Sequence, residues 1–361
     1  MSFYTRALRP ALFVLDAERA HELTLAILQQ PFVVRRLRAR DRRAPDPRLQ
    51  QEVFGLSFDH PLGLAAGLDK HGAAVPAWAA MGFALVEIGT VTPRPQAGNP
   101  RPRLFRLPHD RAVINRFGFN SVGAQRVARN LQDAVPETLR IGVNAGRNRD
   151  TSNERAADDY VEVVNALHPI ADYFVINVSS PNTVGLRDLQ ESRALRALVE
   201  QVTGRVREVA GARSVPVLVK VSPDAAAGDL LASVDAALEG GAAGVVATNT
   251  TVTRTDLKTR GPRAAEPGGL SGAPLRPAAN DVCRLLFRHV GRRVPIIGVG
   301  GVFTADEAYE RIRSGAALVQ LYTALIYEGP AIVQRVVQGL AERLDRDGFT
   351  NVQEAIGCDV R

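Results

Sequence analysis

The chain has 361 residues, 45% of them hydrophobic, which is enough for one large α/β domain or two ordinary ones. Its two cysteines, Cys283 and Cys358, are isolated, which argues against a disulfide framework or a structural zinc site and favours a reducing compartment. Of the net charge of +7, five charges fall within residues 1–50, so the nearly neutral remainder argues against a spread-out nucleic-acid surface.

Residues 1–34 are predicted to form two short amphipathic helices with breaks near Pro10 and Pro31. Acidic residues within them argue against a signal peptide or a membrane span. Six arginines follow the second helix: Arg35, Arg36, Arg38, Arg40, Arg42 and Arg43. An apolar face beside a basic run is typical of helices on an anionic membrane surface, although a hairpin packed on the main domain would show the same pattern. We therefore predict an arm over residues 1–44, a linker at 41–52, and a main domain over residues 45–361.

Strands and helices alternate regularly after the linker. Eight strands are predicted, most of them short apolar runs expected where both sheet faces are covered: Leu62–Ala66, Ala84–Gly89, Arg140–Asn144, Tyr173–Val178, Pro216–Val221, Gly244–Thr248, Pro295–Val299 and Ala317–Tyr322. Intervening helices include Ala156–Ala166, Arg193–Val209, Ala225–Glu239 and Ala305–Ser314. Eight such units predict an α/β fold of the (β/α)8 TIM-barrel type. A doubly wound open sheet is the alternative, but no GxGxxG fingerprint opens a first strand-to-helix turn.

Two segments are too long to be simple connections. They are Val91–Asn120, after the second strand, and Thr251–Ser271, after the sixth. Long loops on the catalytic rim of a barrel are usually lids or substrate covers.

The segment Asp172–Leu186 places polar residues directly after a buried strand. Asn177, Ser180 and Asn182 lie at or just beyond its carboxyl end, where a barrel carries its chemistry. A polar loop that only caps the next helix would have the same composition. The other strands carry Asn, Thr, Gly or Lys at or just beyond their ends, which favours a shared site at this rim.

The strand ends together suggest a bound flavin mononucleotide (FMN). Gly300 and Gly301 follow the seventh strand and a helix follows the eighth, which is where barrels commonly bind phosphate. Of 45 basic residues only three are lysines, and two of them, Lys70 and Lys220, are on the rim, where an ammonium group can stabilise a reduced flavin. No Asp, Glu or His cluster with metal-ligand spacing occurs there, so no metal is expected.

Nine segments in order resemble dihydroorotate dehydrogenase. They are LAAGLDKHG (64–72), GTVTPRPQAGNPRPRLFRLP (89–108), INRFGFNS (114–121), GVNAGRN (142–148), INVSSPNT (176–183), ATNTT (247–251), GGLSG (268–272), IIGVGG (296–301) and LVQLYTAL (318–325). The chain is similar to class 2, the membrane-associated, quinone-reducing branch. The reasons are the predicted arm and a serine at position 180, where class 1 enzymes have cysteine.

The resemblance implies two overlapping sets of binding residues. The flavin site would consist of Ala66, Gly67, Lys70, Thr90, Asn144, Asn177, Lys220, Thr248, Gly272, Gly301, Tyr322 and Thr323. The orotate site would consist of Lys70, Asn115, Arg116, Phe117, Gly118, Phe119, Asn177, Asn182, Asn249 and Thr250. Amide side chains and one cation suit a planar, uracil-like ring that carries a carboxylate.

The implied reaction is oxidation of (S)-dihydroorotate to orotate, with a membrane quinone as final electron acceptor. Ser180 would be the base at C5, and Thr183 would relay the proton toward solvent. His21 and Arg106 match positions that line the quinone tunnel in the family; the alternative for His21 is a histidine on the helix surface or in the core. The resemblance also implies a monomer held peripherally on the cytoplasmic face of the inner membrane, with no nucleic-acid partner.

Three rival functions remain open. A class 1 enzyme using fumarate or NAD is disfavoured by Ser180 and the arm. A tRNA-dihydrouridine synthase would need a basic RNA-binding surface. A non-catalytic barrel on the membrane is the third, because a fold by itself does not establish activity.

Overall fold

A computed structural model describes residues 3–39, 46–132, 134–136, 138–183 and 185–360. Thirteen strands occur in this part of the chain: β1 (Gln51–Val53), β2 (Leu56–Phe58), β3 (Leu62–Leu64), β4 (Leu85–Val91), β5 (Leu104–Leu107), β6 (Ala112–Asn115), β7 (Arg140–Ala145), β8 (Tyr173–Asn177), β9 (Val217–Val221), β10 (Gly244–Ala247), β11 (Gly269–Gly272), β12 (Ile296–Val299) and β13 (Ala316–Leu321). Eight of them close into a barrel in the order β10-β12-β13-β3-β4-β7-β8-β9. Every barrel pair is parallel, so the (β/α)8 prediction is confirmed.

The eight barrel strands are those predicted, with ends that differ by one or two residues. Every residue of these eight strands is buried except Arg140, the first residue of β7. This is expected for strands that are covered by helices outside the barrel and by packed side chains inside it. The first strand is shorter than predicted and ends at Leu64. Lys70 therefore lies on the loop that follows it.

Helices cover the outside of the barrel and precede it at the amino terminus. They are α1 (Arg9–Val14), α2 (Ala17–Leu28), α3 (Pro31–Arg38), α4 (Val75–Met81), α5 (Ala124–Leu131), α6 (Ala156–Leu167), α7 (Ser192–Ala210), α8 (Ala227–Glu239), α9 (Arg276–Val290), α10 (Ala305–Arg313), α11 (Thr323–Glu328), α12 (Ile332–Asp347) and α13 (Val352–Ala355). The four helices predicted by range match α6, α7, α8 and α10 to within two residues.

The two long segments are not irregular loops. Parts of both pair as a three-stranded antiparallel sheet in the order β11-β6-β5, which lies at the carboxyl-terminal rim. We call β5, β6 and β11 the rim sheet. The predicted linker also contains structure, because residues 51 and 52 belong to the β1–β2 hairpin. Both differences arise from backbone pairing with distant or following residues, which local composition does not reveal.

The arm contains three helices where the sequence predicted two. The chain stays helical through Pro10, which lies in the first turn of α1, and Pro31 begins α3, where its missing N–H costs nothing. Helix α3 packs on α4 and buries Leu37. Arg35, Arg36 and Arg38 are thus helical, while Arg40, Arg42 and Arg43 lie outside the described residues, as does the predicted boundary at 44/45.

The arm leaves apolar side chains uncovered. Most of the exposed large hydrophobic residues in the described part of the chain belong to it: Phe3, Leu8, Val14, Leu15, Leu23, Ile27 and Phe32. An exposed apolar face of this extent marks an interaction surface. No helix within the described ranges has the length and hydropathy needed to cross a bilayer.

Candidate active site

A cavity of about 950 Å³, including its open mouth, lies between the carboxyl ends of the barrel strands and the rim sheet. Most of the predicted site residues line it: Ala66, Gly67, Lys70, Thr90, Asn115, Phe117, Gly118, Phe119, Asn177, Ser180, Asn182, Lys220, Thr248, Asn249, Thr250, Gly272, Gly301, Tyr322 and Thr323. The parallel register brings them together, because all barrel strands end at the same rim.

A chain of hydrogen-bonded amides forms the floor of the cavity. Asn177 Nδ2 donates to Asn144 Oδ1 and to Thr90 Oγ1, both at 3.0 Å. Asn249 Nδ2 in turn donates to Asn177 Oδ1 at 3.3 Å. Asn144 is fully buried one layer behind the cavity wall, and its Nδ2 donates to Glu87 Oε1 at 2.8 Å. Because a carboxylate only accepts hydrogen bonds, Glu87 determines which way each amide of this chain points.

Lys220 projects from β9 into the cavity and is almost fully buried. Its Nζ is 4.0 Å from Glu87 Oε1. Burial lowers the pKa of Lys220 and the Glu87 carboxylate opposes that fall. Gln320 Nε2 donates to the other oxygen of Glu87 at 2.9 Å, so the carboxylate is held from two sides. The site therefore contains a buried cation with a fixed counter-charge beneath it.

Lys70 occupies the opposite wall of the cavity. Its Nζ lies 4.5 Å from the centroid of the Phe117 ring. Burial lowers the pKa of Lys70 to about 7; the charge of Arg103 adds to this fall and that of Glu18 opposes it. An anionic ligand beside Lys70 would favour its ammonium form.

The loop after β12 is built for close approach of a ligand. Gly300 and Gly301 both have positive φ values, of 115° and 76°. A Cβ on Gly301 would lie 2.6 Å from the backbone nitrogen of Arg276, so only glycine fits. Behind the loop, the buried Arg311 donates from Nη2 to Gly300 O at 2.8 Å. Backbone amides at such a turn suit a phosphate.

The substrate side of the cavity is lined by amides from two loops. Asn182 Nδ2 donates to Asn115 Oδ1 at 3.2 Å, and Asn249 Oδ1 accepts from the backbone N–H of Thr250 at 2.8 Å. Ser180 is 7% exposed, and its Oγ accepts from the backbone N–H of Asn182 at 3.3 Å. The hydroxyl is therefore held at the wall of the cavity and remains able to donate its own proton.

Besides Asn144, four predicted residues do not line the cavity. The guanidinium group of Arg116 pairs with Glu266 at 2.5 Å. Thr183 Oγ1 is buried, with no hydrogen-bond partner among the described residues. His21, on α2, is half-buried, and burial and the charge of Lys70 lower its pKa. Arg106 donates to Leu12 O at 3.0 Å and also to Leu15 O, so it joins the rim sheet to the end of α1.

Several residues that shape the site were not predicted from the sequence. Glu87 and Gln320 are polar residues inside apolar strands, a pattern that would have identified them. Glu18, Asn99 and Arg103 carried no local signal, because their importance depends on contacts across the chain. Among the described residues, no group of three or more His, Cys, Asp or Glu side chains is arranged to hold a metal ion.

Comparison with known proteins agrees with this geometry. The family model for dihydroorotate dehydrogenase matches residues 48–344. The chain belongs to the dihydroorotate dehydrogenase family. "Dihydroorotate dehydrogenase (quinone)" from Anaeromyxobacter sp. (strain Fw109-5) is 52% identical over 98% of this chain and 97% of the relative. The protein of the same name from Roseiflexus sp. (strain RS-1) is 50% identical over 98% of each chain.

A solved structure is also similar over nearly the whole chain. The crystal structure of DHODH from Eimeria tenella in complex with ferulenol has a TM-score of 0.89 and 38% identity, and covers 96% of each chain. The relatives are of the quinone type, so the assignment to the quinone-dependent branch of the dihydroorotate dehydrogenase family is confirmed.

Proposed function

We propose that the cavity at the carboxyl ends of the barrel strands is where dihydroorotate is bound and oxidised. The reaction itself, oxidation of dihydroorotate to orotate with a quinone as electron acceptor in pyrimidine biosynthesis, follows from the family and from its quinone-type relatives. The observation that carries the site proposal is that Lys70, Ser180 and Lys220 line the same cavity together with the amide floor.

The family is flavin-dependent, and we infer that the flavin of this chain is FMN. The residues that line the cavity fit FMN. The turn at Gly300 and Gly301, where both φ values are positive, suits the phosphate, and Thr90, Asn177 and Lys220 suit the flavin ring. The remaining predicted flavin contacts are Ala66, Gly67, Lys70, Asn144, Thr248, Gly272, Tyr322 and Thr323. When bound, FMN would supply the hydride acceptor for dihydroorotate and the electron donor for the quinone.

The substrate is held by amides and by one ammonium group. Asn115, Asn182 and Asn249 offer paired donors and acceptors to the ring, while Lys70 matches its carboxylate. Thr250 and the stretch from Phe117 to Phe119 complete the wall. The directional order imposed by Glu87 on the amide chain presents a fixed pattern of donors and acceptors, which gives specificity for one ring orientation.

Ser180 is the proposed base that removes the proton from C5 of dihydroorotate. A serine hydroxyl is a weak base in water, so it must lose its own proton as it accepts the new one. Thr183 is the proposed relay for that proton. Its buried hydroxyl without a partner among the described residues supports this role, because a group with free hydrogen-bonding capacity can accept a proton transiently.

The arm is the proposed route for the quinone and the proposed site of membrane attachment. His21 and Arg106 lie where the arm meets the barrel and rim sheet, and the arm's exposed apolar residues, next to the arginines of α3, suit an anionic bilayer surface. Quinone-type members of the family associate peripherally with membranes. We further infer attachment to the cytoplasmic face of the inner membrane, a monomeric state, an arm over residues 1–44 and a barrel domain over 45–361.

Spectroscopy of the purified protein tests the proposal. The cofactor released from the protein should co-elute with authentic FMN in chromatography. Dihydroorotate added under anaerobic conditions should bleach the flavin absorbance. A quinone should then restore it. A protein that purifies without flavin, or whose flavin dihydroorotate does not reduce, would overturn the proposed site. Bleaching that fumarate or NAD reverses as well as quinone would overturn the proposed electron path.

A further inference from the structure

A buried ion pair joins the arm to the substrate side of the barrel. Glu18, on α2, accepts one bifurcated hydrogen bond from the single Nε–H of Arg103, at 3.1 and 3.2 Å, and another from Nη2 at 2.8 Å. The more exposed Arg101 also lies 3.1 Å from the same carboxylate. Each side chain of the pair is only 7% exposed. Buried pairs with this many contacts are strongly destabilised when one partner is removed, so the arrangement ties the position of Arg103 to the arm.

Arg103 also organises the loop that precedes the rim sheet. Its Nη1 donates to Ala97 O at 2.7 Å and to Asn99 O at 2.8 Å. The guanidinium carbon lies 5.3 Å from the centroid of the Phe117 ring, a residue that lines the cavity. One guanidinium group therefore contacts the arm, the loop and the cavity wall.

Asn99 extends these contacts to both substrate loops. Its backbone N–H donates to Phe117 O at 2.8 Å. Its side-chain Nδ2 donates to Arg116 O at 2.9 Å and to Asn182 O at 3.3 Å. The order of contacts from arm to site is thus Glu18, Arg103, Asn99, and then the two loops that carry the proposed orotate ligands.

The charges around Lys70 give the same ion pair an electrostatic consequence. Lys70 and Arg103 lie over the same Phe117 ring, and the carboxylate bonded to Arg103 is that of Glu18. The nearby Asp69 is already engaged, since it accepts hydrogen bonds from Ala73 N, Ala74 N and Trp78 Nε1. Burial and the charge of Lys70 lower the pKa values of His21 and His71 below 6.5, so both imidazoles are mostly neutral above that pH.

We propose that Glu18 is a positioning residue of the dihydroorotate site: by binding and neutralising Arg103, it holds the substrate loops in place and keeps Lys70 charged for the substrate carboxylate. The arm then serves the substrate half of the reaction as well as the quinone half. This inference rests on the proposed function of the cavity.

The Glu18→Gln variant of the flavin-loaded full chain tests the inference, because glutamine keeps the shape and one acceptor but removes the charge. Without that charge, the pKa of Lys70 falls further below about 7. Each unit of fall reduces the protonated fraction up to about tenfold at pH values above the pKa. The dissociation constant for orotate, measured by the change in flavin absorbance, should rise by up to about tenfold at pH 8 and by less at pH 6.5.

The chain offers a matched control in Glu22. It lies one turn further along α2, its side chain is 52% exposed, and it pairs with Arg101 at 2.5 Å rather than with Arg103. Arg101 also lies 3.1 Å from Glu18, so this variant removes a charge beside the same cluster while the contact between Glu18 and Arg103 stays intact. Glu22→Gln should leave orotate binding unchanged at both pH values. Glu18→Asp, which keeps the charge, should restore most of the pH dependence of the native protein.

Four outcomes would overturn the inference. Glu18→Gln with native orotate affinity at pH 8 is the first, and equal losses in Glu18→Gln and Glu22→Gln are the second. A Glu18→Asp variant as weak as Glu18→Gln would show that charge is not what matters. An equally large rise in KM for quinone in Glu18→Gln would indicate that the arm has simply detached. If the native protein itself fails to bind orotate, the proposed function fails instead.

Discussion

Replacing Lys220 with methionine should separate the electrostatic role of this residue from its structural role. Methionine keeps the length of the side chain but removes the charge, and it leaves the Glu87 carboxylate buried without the ammonium group at 4.0 Å. Removing one partner of a buried pair typically costs about 3–5 kcal/mol. The free energy of unfolding should fall by an amount of this order.

The double variant Lys220→Met with Glu87→Gln removes both charges, so we expect it to regain much of the lost stability. Reduction of the flavin by dihydroorotate should be slower than in the native protein in both the single and the double variant. A unit charge at 4 Å contributes about 4 kcal/mol at an effective dielectric constant of 20. Loss of a third of that amount from the transition state slows a reaction about tenfold, so a rate at least about tenfold lower is expected.

Chemical denaturation and anaerobic stopped-flow absorbance measure the two effects separately. The control is Lys258→Met, because Lys258 is the third lysine of the chain and is exposed on the segment between β10 and β11. It should match the native protein in both assays. A double variant that is stable and reduces its flavin at nearly the native rate would refute the reasoning, since the ammonium group would then be structural only.

Three further changes test other parts of the site. Ser180→Ala should keep its flavin but lose about 10²–10⁴-fold in the rate of flavin reduction, and near-native reduction would remove Ser180 as the base. Orotate binding by the native protein, followed by titration calorimetry, should weaken as the pH rises through about 7, because Lys70 is charged below its pKa and neutral above it; a flat profile from pH 6.5 to 8.5 would contradict this. Removing residues 1–44 should abolish turnover with a long-tailed quinone and weaken salt-sensitive binding to anionic vesicles, while flavin stays bound and saturating dihydroorotate still bleaches it. Equal quinone turnover by the truncated and full-length chains would reduce the arm to a packing element.

The barrel could be predicted from the sequence because its signals are local. Each barrel strand is a short, largely apolar run that ends in a polar residue or is followed within three positions by a glycine or a polar residue. Parallel strands buried on both faces favour such apolar runs. The site residues at the strand ends followed from the same logic, since a parallel barrel gathers every carboxyl end at one rim. Resemblance to the family then supplied roles for residues such as Ser180, which composition does not distinguish from any other loop serine.

Only the tertiary structure decided the features that depend on pairing between distant residues. The rim sheet joins β6 to β11, which are more than 150 residues apart, and no local pattern specifies that partner. The direction of the Arg116 side chain, toward Glu266 and away from the cavity, depends on how the two long segments meet. The same holds for Glu18 and Arg103, which are 85 residues apart. In the sequence they resemble ordinary surface charges, but in the folded protein they are buried against each other. The physical reason is that the sequence of a short segment largely determines whether it forms a strand or a helix. A buried charge pair, by contrast, forms only where two segments that are distant in sequence pack together and exclude water.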